Sequence, residues 1–284
     1  MPLNIRTFVE SDVRFALEQT AREGWDTTAS ILQTGLAHDP AGCFVAEFDG
    51  QPVAQITTTR YVRSAWIGNL VVAAPHRRHG LGEQLMRHAI AHLESHGITS
   101  LYLEADPLGV GIYTRLGFTA LYDSPRLGSH PPHTPQPLRS SPPPVRPLQH
   151  SDLDAIAAFD TPCFGDDRSR LLAALLEHSH AAYGVYHEAR LTAYTMVLPS
   201  AIGVRLGPCV ATDAAAAAPL IDTVLRDFPH SPVVIAVPGD NASALQLLED
   251  RRFVHVSSCL RMHRGPAPAP PQSNIYALAN GALG

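Results

Sequence analysis

The chain contains no lysine: all 21 of its basic residues are arginine, set against 26 acids for a formal net charge of −5. That balance excludes a broad basic footprint of the kind that holds nucleic-acid phosphates. Lysine's absence beside abundant alanine, proline and glycine reads as the coding bias of a GC-rich bacterium. Cysteine is scarce too. Cys43, Cys163, Cys209 and Cys259 show no CxxC and no zinc-ligand spacing, so neither a disulfide framework nor a structural metal is indicated, and reduced thiols are expected. No apolar run approaches the roughly 18 residues of a membrane span, and the opening MPLNIRTFVE has no basic segment followed by an apolar stretch. A soluble, cytoplasmic protein without membrane or nucleic-acid partners is the expectation.

What the chain does have is length and apolar material for two cores, with 284 residues of which 45% are hydrophobic. Proline is concentrated where those cores should part. Between Asp123 and Gln149 stand nine of the 25 prolines; each lacks an N–H and disfavours helix in the residue before it, so no packed element is expected there. The division anticipated is 1–127, a Pro-rich linker at 128–144, and 145–284.

The two halves resemble each other. Ile5 opens IRTFVESDVRFAL and Val145 opens VRPLQHSDLDAIAAF, matching Arg6, Ser11 and Asp12 with Arg146, Ser151 and Asp152. Farther on WIGNLVVAA from Trp66 matches RLGPCVATD from Arg205, and YTRLGF ending at Phe118 matches LLEDRRF ending at Phe253. Three matches in the same order point to a duplicated fold.

In the first half Cys43–Asp49 alternates, Gly50 turns and Pro52–Tyr61 is rich in β-branched residues, which together predict a hairpin. Trp66–Val72 and Ser100–Glu104 read as strands, and Phe118–Tyr122 as a last strand. Leu85, Met86, Ala89, Ile90 and Leu93 recur at helical spacing within 82–96, and Gly109–Leu116 reads as a short helix closed by Gly117. The fold class expected is α+β, with a mixed, mostly antiparallel sheet flanked by helices in each half.

The chemistry concentrates in Leu70-Val71-Val72-Ala73-Ala74-Pro75-His76-Arg77-Arg78-His79-Gly80-Leu81-Gly82. An apolar strand runs through arginines and glycines into a helix start, where free N–H groups and the positive end of the helix dipole suit an anion. Glycines let backbone approach closely, and Arg77 and Arg78 add charge. The spacing is neither GxxxxGK[ST] nor GxGxxG.

Arg77-x-x-Gly80-x-Gly82 after a strand ending in two valines resembles the pyrophosphate loop of the GNAT family of N-acetyltransferases, [RQ]xxGx[GA]. Gly111-Ile112-Tyr113-Thr114-Arg115-Leu116-Gly117-Phe118 resembles that family's LYxxLGF segment, and the resemblance covers about residues 3–125. It implies acetyl-CoA as co-substrate, with no metal, lying along Leu70, Val71 and Val72. The pyrophosphate would rest on Arg77, Arg78, His79, Gly80, Leu81 and Gly82. The acceptor would be an amine attacking the thioester directly, and Tyr113 would give the departing thiolate its proton.

Members of that family often carry a Glu on the strand before the loop, yet Ser64–Val72 contains no acid. Glu104 and Asp106 on the neighbouring strand are the nearest candidates for a base. His88, His92 and His96 line one helix edge, where a polar edge is the plainer reading than a metal site; Trp25 and Trp66 are expected in the core.

In the second half the alignment sets Ala216 against Arg77, Pro219 against Gly80, Ile221 against Gly82 and Leu248 against Tyr113, so the anion cradle and the acid are both gone. The whole chain resembles tandem GNAT proteins of the YitH/HolE type, through Phe159-Asp160-x-x-x-Phe164-Gly165-x-x-Arg168 and Arg261-x-x-Arg264-Gly265-Pro266. That resemblance implies an acetyltransferase working in its first half. The rival is a non-catalytic acyl-CoA-binding regulator, motivated by the missing strand carboxylate. Association of the chain with itself is open under either.

Overall fold

The computed structural model describes residues 3–133, 144–266 and 273–284. In chain order the first half forms β1 (Leu3–Thr7), α1 (Val13–Arg22), α2 (Ala29–His38), β2 (Phe44–Phe48), β3 (Gln51–Arg60), β4 (Ser64–Val72), α3 (Leu81–Ser95), β5 (Ser100–Ala105), α4 (Val110–Arg115) and β6 (Thr119–Ser129). The second repeats that order as β7 (Val145–Pro147), α5 (Leu153–Phe164), α6 (Ser169–His178), β8 (Ala181–His187), β9 (Arg190–Pro199), β10 (Val204–Ala211), α7 (Ala214–Asp227), β11 (Val233–Ala236), α8 (Ala242–Glu249) and β12 (Val254–Arg264). One strand, β13 (Ile275–Ala277), follows. The duplication read from three short matches therefore extends to every α-helix and strand up to β12.

The Arg and Asp shared by the two openings form a clamp. Arg6 holds Asp12 through both terminal guanidinium nitrogens, at 2.6 and 2.9 Å, while Asp12 accepts from the Val9 N–H at 2.9 Å. Arg146 and Asp152 repeat the pair at 2.9 Å, with the Gln149 N–H on the same carboxylate. Each clamp ties a first strand to the single 3-10 turn that opens the following helix. The shared residues are thus structural.

Two compact units interleave along the chain: Met1–Leu121 with Leu260–Pro268 and Gly281–Gly284, and Tyr122–Cys259 with Ala269–Asn280. The first holds antiparallel β1–β2–β3–β4, then β5 parallel to β4, then residues 260–264 of β12 antiparallel to β5. The second holds β7–β8–β9–β10 in the same manner, β11 parallel to β10, and residues 126–129 of β6 antiparallel to β11. Each sheet is therefore finished by a strand from the other half of the sequence.

This corrects the expectation that no packed element survives between Asp123 and Gln149. β6 runs through Ser129 and β7 begins at Val145. Pro125 is accommodated because it offers only its carbonyl, which accepts from the Val237 N–H at 3.1 Å. Residues 134–143 of the expected linker lie outside the described residues.

In the first unit Leu81, Leu85, Met86, Ala89, Ile90 and Leu93 of α3 are buried against Phe44, Ala46, Ala54, Ile56, Ala65 and Ile67 of the sheet. On the other face α1 and α2 bury Ala16 and Leu32 over Cys43 and Val45. In the second unit α7 buries Ala217, Leu220, Ile221 and Val224 over Val204, Leu206 and Val233. None of the four cysteines is in a disulfide, and burial pushes the Cys43 and Cys209 thiols up to about 12, which leaves them inert at neutral pH. Among the described residues no helix is long and apolar enough to cross a membrane.

Candidate functional site

The site grows from the parting of two parallel strands. β4 and β5 pair only at Ser64↔Ser100, Ala65↔Leu101 and Trp66↔Tyr102. β4 then continues to Val72 and β5 to Ala105 without each other, opening a notch beyond Trp66. On its far side β4 stays with β3 through a register shift between Gln55 and Thr57, opposite Asn69, whose φ is 50°. The Ala73 N–H donates to the Val53 carbonyl at 2.8 Å. By the alternation of an antiparallel ladder, the Leu70 and Val72 backbone groups then point away from β3, into the notch.

At the end of β4 the chain turns into α3. Gly80 is the helix N-cap at φ 78°, preceded by Arg78 at φ 65°. The first backbone N–H groups of α3, at Leu81, Gly82 and Glu83, have no acceptor inside the helix. A Cβ on Gly82 would stand 3.6 Å from Ile112 Cδ1, 3.7 Å from Val72 Cγ2 and 4.0 Å from Leu70 Cδ2. A methyl fits there in ordinary contact with all three, so the start of α3, the end of β4 and α4 converge on one cradle. The residues fit a pyrophosphate.

Arg77 is placed differently from the sequence expectation. Its Nε donates to the Val72 carbonyl at 2.8 Å, and a terminal nitrogen pairs with Glu23 at the end of α1. The guanidinium braces the loop, leaving backbone N–H groups, with exposed Arg78 and His79, to face an anion.

Tyr113 follows Ile112 on α4. Its ring folds back over Gly109, where a Cβ would lie 3.3 Å from the hydroxyl, and meets Phe118 edge-on at 6.2 Å. Gly109 is thus required by the tyrosine's position. Glu104 of β5 stands opposite Arg261 of β12 and accepts from its Nε at 2.7 Å, both side chains being buried. Asp106 accepts from the Leu108 N–H at 3.2 Å, shaping the turn into α4. His88 and His92 lie edge-on against Phe44, at 4.5 and 5.4 Å, and burial first lowers the His92 pKa below the ordinary histidine value. They form a packed edge of α3.

Sequence reasoning missed two contributions from the far end of the chain. Arg261 lies 4.4 Å over the Trp66 ring, which itself stacks on Tyr102 at 5.5 Å. Residues 282–284 are buried against β3 and β4. No short-range pattern announces a partner some 160 to 220 residues away, although Arg261 belongs to a motif already noted.

In the second unit the corresponding positions are occupied by the chain itself. The Asp213 carboxylate accepts from the Ala216 N–H at 2.9 Å, so the first turn of α7 is capped by the chain's own anion. β10 and β11 part after Val204↔Val233 and Arg205↔Val234, and β13 fills the gap. Cys209 and Val210, aligned with Leu70 and Val71, pair with Ala277 and Ile275, while the Leu278 N–H donates to Ala236 of β11 at 2.8 Å.

Two family models match the chain: an acetyltransferase (GNAT) family model over residues 10–118 and an acetyltransferase (GNAT) domain model over residues 156–277. No sequence among the curated proteins matches. Among solved structures, a Pyrococcus horikoshii protein is similar at 21% identity and a TM-score of 0.85, over 99% of this chain and 96% of that one. A tandem GNAT protein from the clavulanic acid biosynthesis pathway is similar at 16% identity and 0.66, over 94% and 99%. A GCN5-related N-acetyltransferase from Sphaerobacter thermophilus is similar at 12% and 0.66, over 96% and 98%. At these identities the likeness concerns fold, and with a family match on each half it places the chain in the GNAT acetyltransferase family as a tandem member.

Proposed function

We propose that the first unit transfers an acetyl group from acetyl-CoA to an amine by direct attack, in the cytoplasm, and that the second unit does not bind acyl-CoA. The observation that carries this reading is the convergence of Gly82, Val72, Leu70 and Ile112 on one cradle at the start of α3, beside a notch into which β4 turns backbone groups. Acetyl-CoA would supply an activated acyl group as a thioester. The N–H groups of Leu81 and Gly82 would hold its pyrophosphate, and those of Leu70 and Val72 would hold the pantetheine arm and polarise the carbonyl.

Tyr113 is assigned the proton that the leaving thiolate needs. Glu104 already accepts from Arg261, so we assign it a fixed electrostatic role, with the amine arriving deprotonated from water. Thiol release from acetyl-CoA across a panel of amines is the test. Release that depends on an amine and, at limiting acetyl-CoA, falls in Gly82→Gln supports transfer; CoA binding without release for any amine would leave the chain an acyl-CoA-binding regulator instead.

A further inference from the structure

The face of β4 turned away from α3 is covered by the chain's last described residues. Ala65 and Ile67 belong to the core under α3, so the alternating Trp66 and Gly68 present the opposite face. Onto it runs the segment Gly281-Ala282-Leu283-Gly284, fixed at several points. The Tyr61 hydroxyl donates to the Leu283 carbonyl at 2.5 Å and the Thr59 hydroxyl to the Ala282 carbonyl at 3.4 Å. A Cβ on Gly68 would overlap Ala282, so the strand has a glycine where the segment crosses it. Leu283 Cδ2 lies 3.9 Å from where a Cβ on Gly35 of α2 would be, and Gly284 rests against the Trp66 indole. Leu283 is 2% exposed and Ala282 4%.

Trp66 is the last β4 residue paired with β5 and Gly68 lies just past it, so the segment crosses at the apex of the notch. The anion cradle lies at the other end of β4, on the α3 side. In a direct transfer the acceptor must reach the thioester from the side that the co-substrate leaves open. We infer that residues 281–284 form the acceptor-side wall of the transfer site and set the size of the amine it admits. Its side chains carry no charge, and Leu283 is the one bulky one among them, so Leu283 limits breadth while Ala282 fixes how close the wall stands to β4. This rests on the acetyl-transfer reading of the first unit.

The test uses the full chain with acetyl-CoA and four amines of graded size: glycine, spermidine, a tetrapeptide with a free N-terminus, and kanamycin. Thiol release gives KM and kcat, and calorimetry gives CoA affinity. Leu283→Ala should lower KM for the larger amines by roughly tenfold, the scale on which a pocket discriminates a few methylene groups. Ala282→Leu should raise KM for every amine accepted, and both should leave CoA affinity unchanged. Tyr61→Phe removes one hydrogen bond and keeps the ring, so it should shift the amine preference in the direction of Leu283→Ala even where the other variants fold poorly. A parent that binds CoA and turns over, with variants whose amine KM is unmoved or moves in parallel with CoA affinity, overturns the wall alone. A parent that releases no thiol with any amine overturns the transfer reading and the wall together.

Discussion

At residue scale the cradle makes an asymmetric prediction about Gly82. Its would-be Cβ has ordinary contacts at 3.6 to 4.0 Å, so Gly82→Ala should bind CoA nearly as the parent does. Gly82→Gln should drive a side chain into Ile112 and Val72 and weaken CoA binding by about tenfold or more, roughly 1.4 kcal/mol, read by calorimetry. Tyr113→Phe separates chemistry from packing in the same way. Loss of the proton donor should lower kcat by roughly 10² to 10⁴ with CoA affinity nearly unchanged. A kcat close to the parent's would assign Tyr113 to packing against Phe118. Asp12 gives a pH prediction. Burial alone would raise its pKa, but the hydrogen bonds from Arg6 and the Val9 N–H win, and it sits below the ordinary carboxylate value. Its stabilisation is therefore present above the unfolded pKa of about 3.9 and is lost as pH falls through the lower folded value. Asp12→Asn should cost stability at pH 7, and the gap in Tm from the parent should close as the pH is taken down through that range.

At element scale α3 and α7 are the same helix put to different ends. The α7 N-terminus is satisfied by Asp213, so Asp213→Ala should cost about 1 kcal/mol of stability in thermal unfolding. It should not create a CoA site, because β13 still occupies the gap between β10 and β11. Most of the first half was legible in the sequence because its signals are local. The 3.6-residue recurrence of Leu85 to Leu93 marks α3, the β-branched run marks β3, and the glycine at 80 marks the turn into the helix. The degenerate loop of the second half was legible for the same reason, since Ala216 and Pro219 stand where Arg77 and Gly80 stood. What fills that half's gap was not. β13 is three residues long, shows no period, and is held by pairing with strands some 40 to 70 residues earlier in the chain. β6 was read too short because proline was weighed as a helix and ladder breaker, whereas Pro125 needs only its carbonyl. Nothing near Glu104 in the sequence announces its partner Arg261, which comes from the other half of the chain.

At the scale of the whole molecule the duplication has produced two units of one frame, each finished by a strand from the other half, of which one keeps an open cradle and the other closes it with its own chain. The central claim is that the open cradle in the first unit is the acyl-CoA site and that the second unit has none. A calorimetric titration of the purified chain with CoA tests it most directly, run alongside Gly82→Gln. One CoA per chain, with binding weakened at least about tenfold by that substitution, is the result predicted. Two equivalent sites per chain, or one site indifferent to Gly82→Gln, would contradict it.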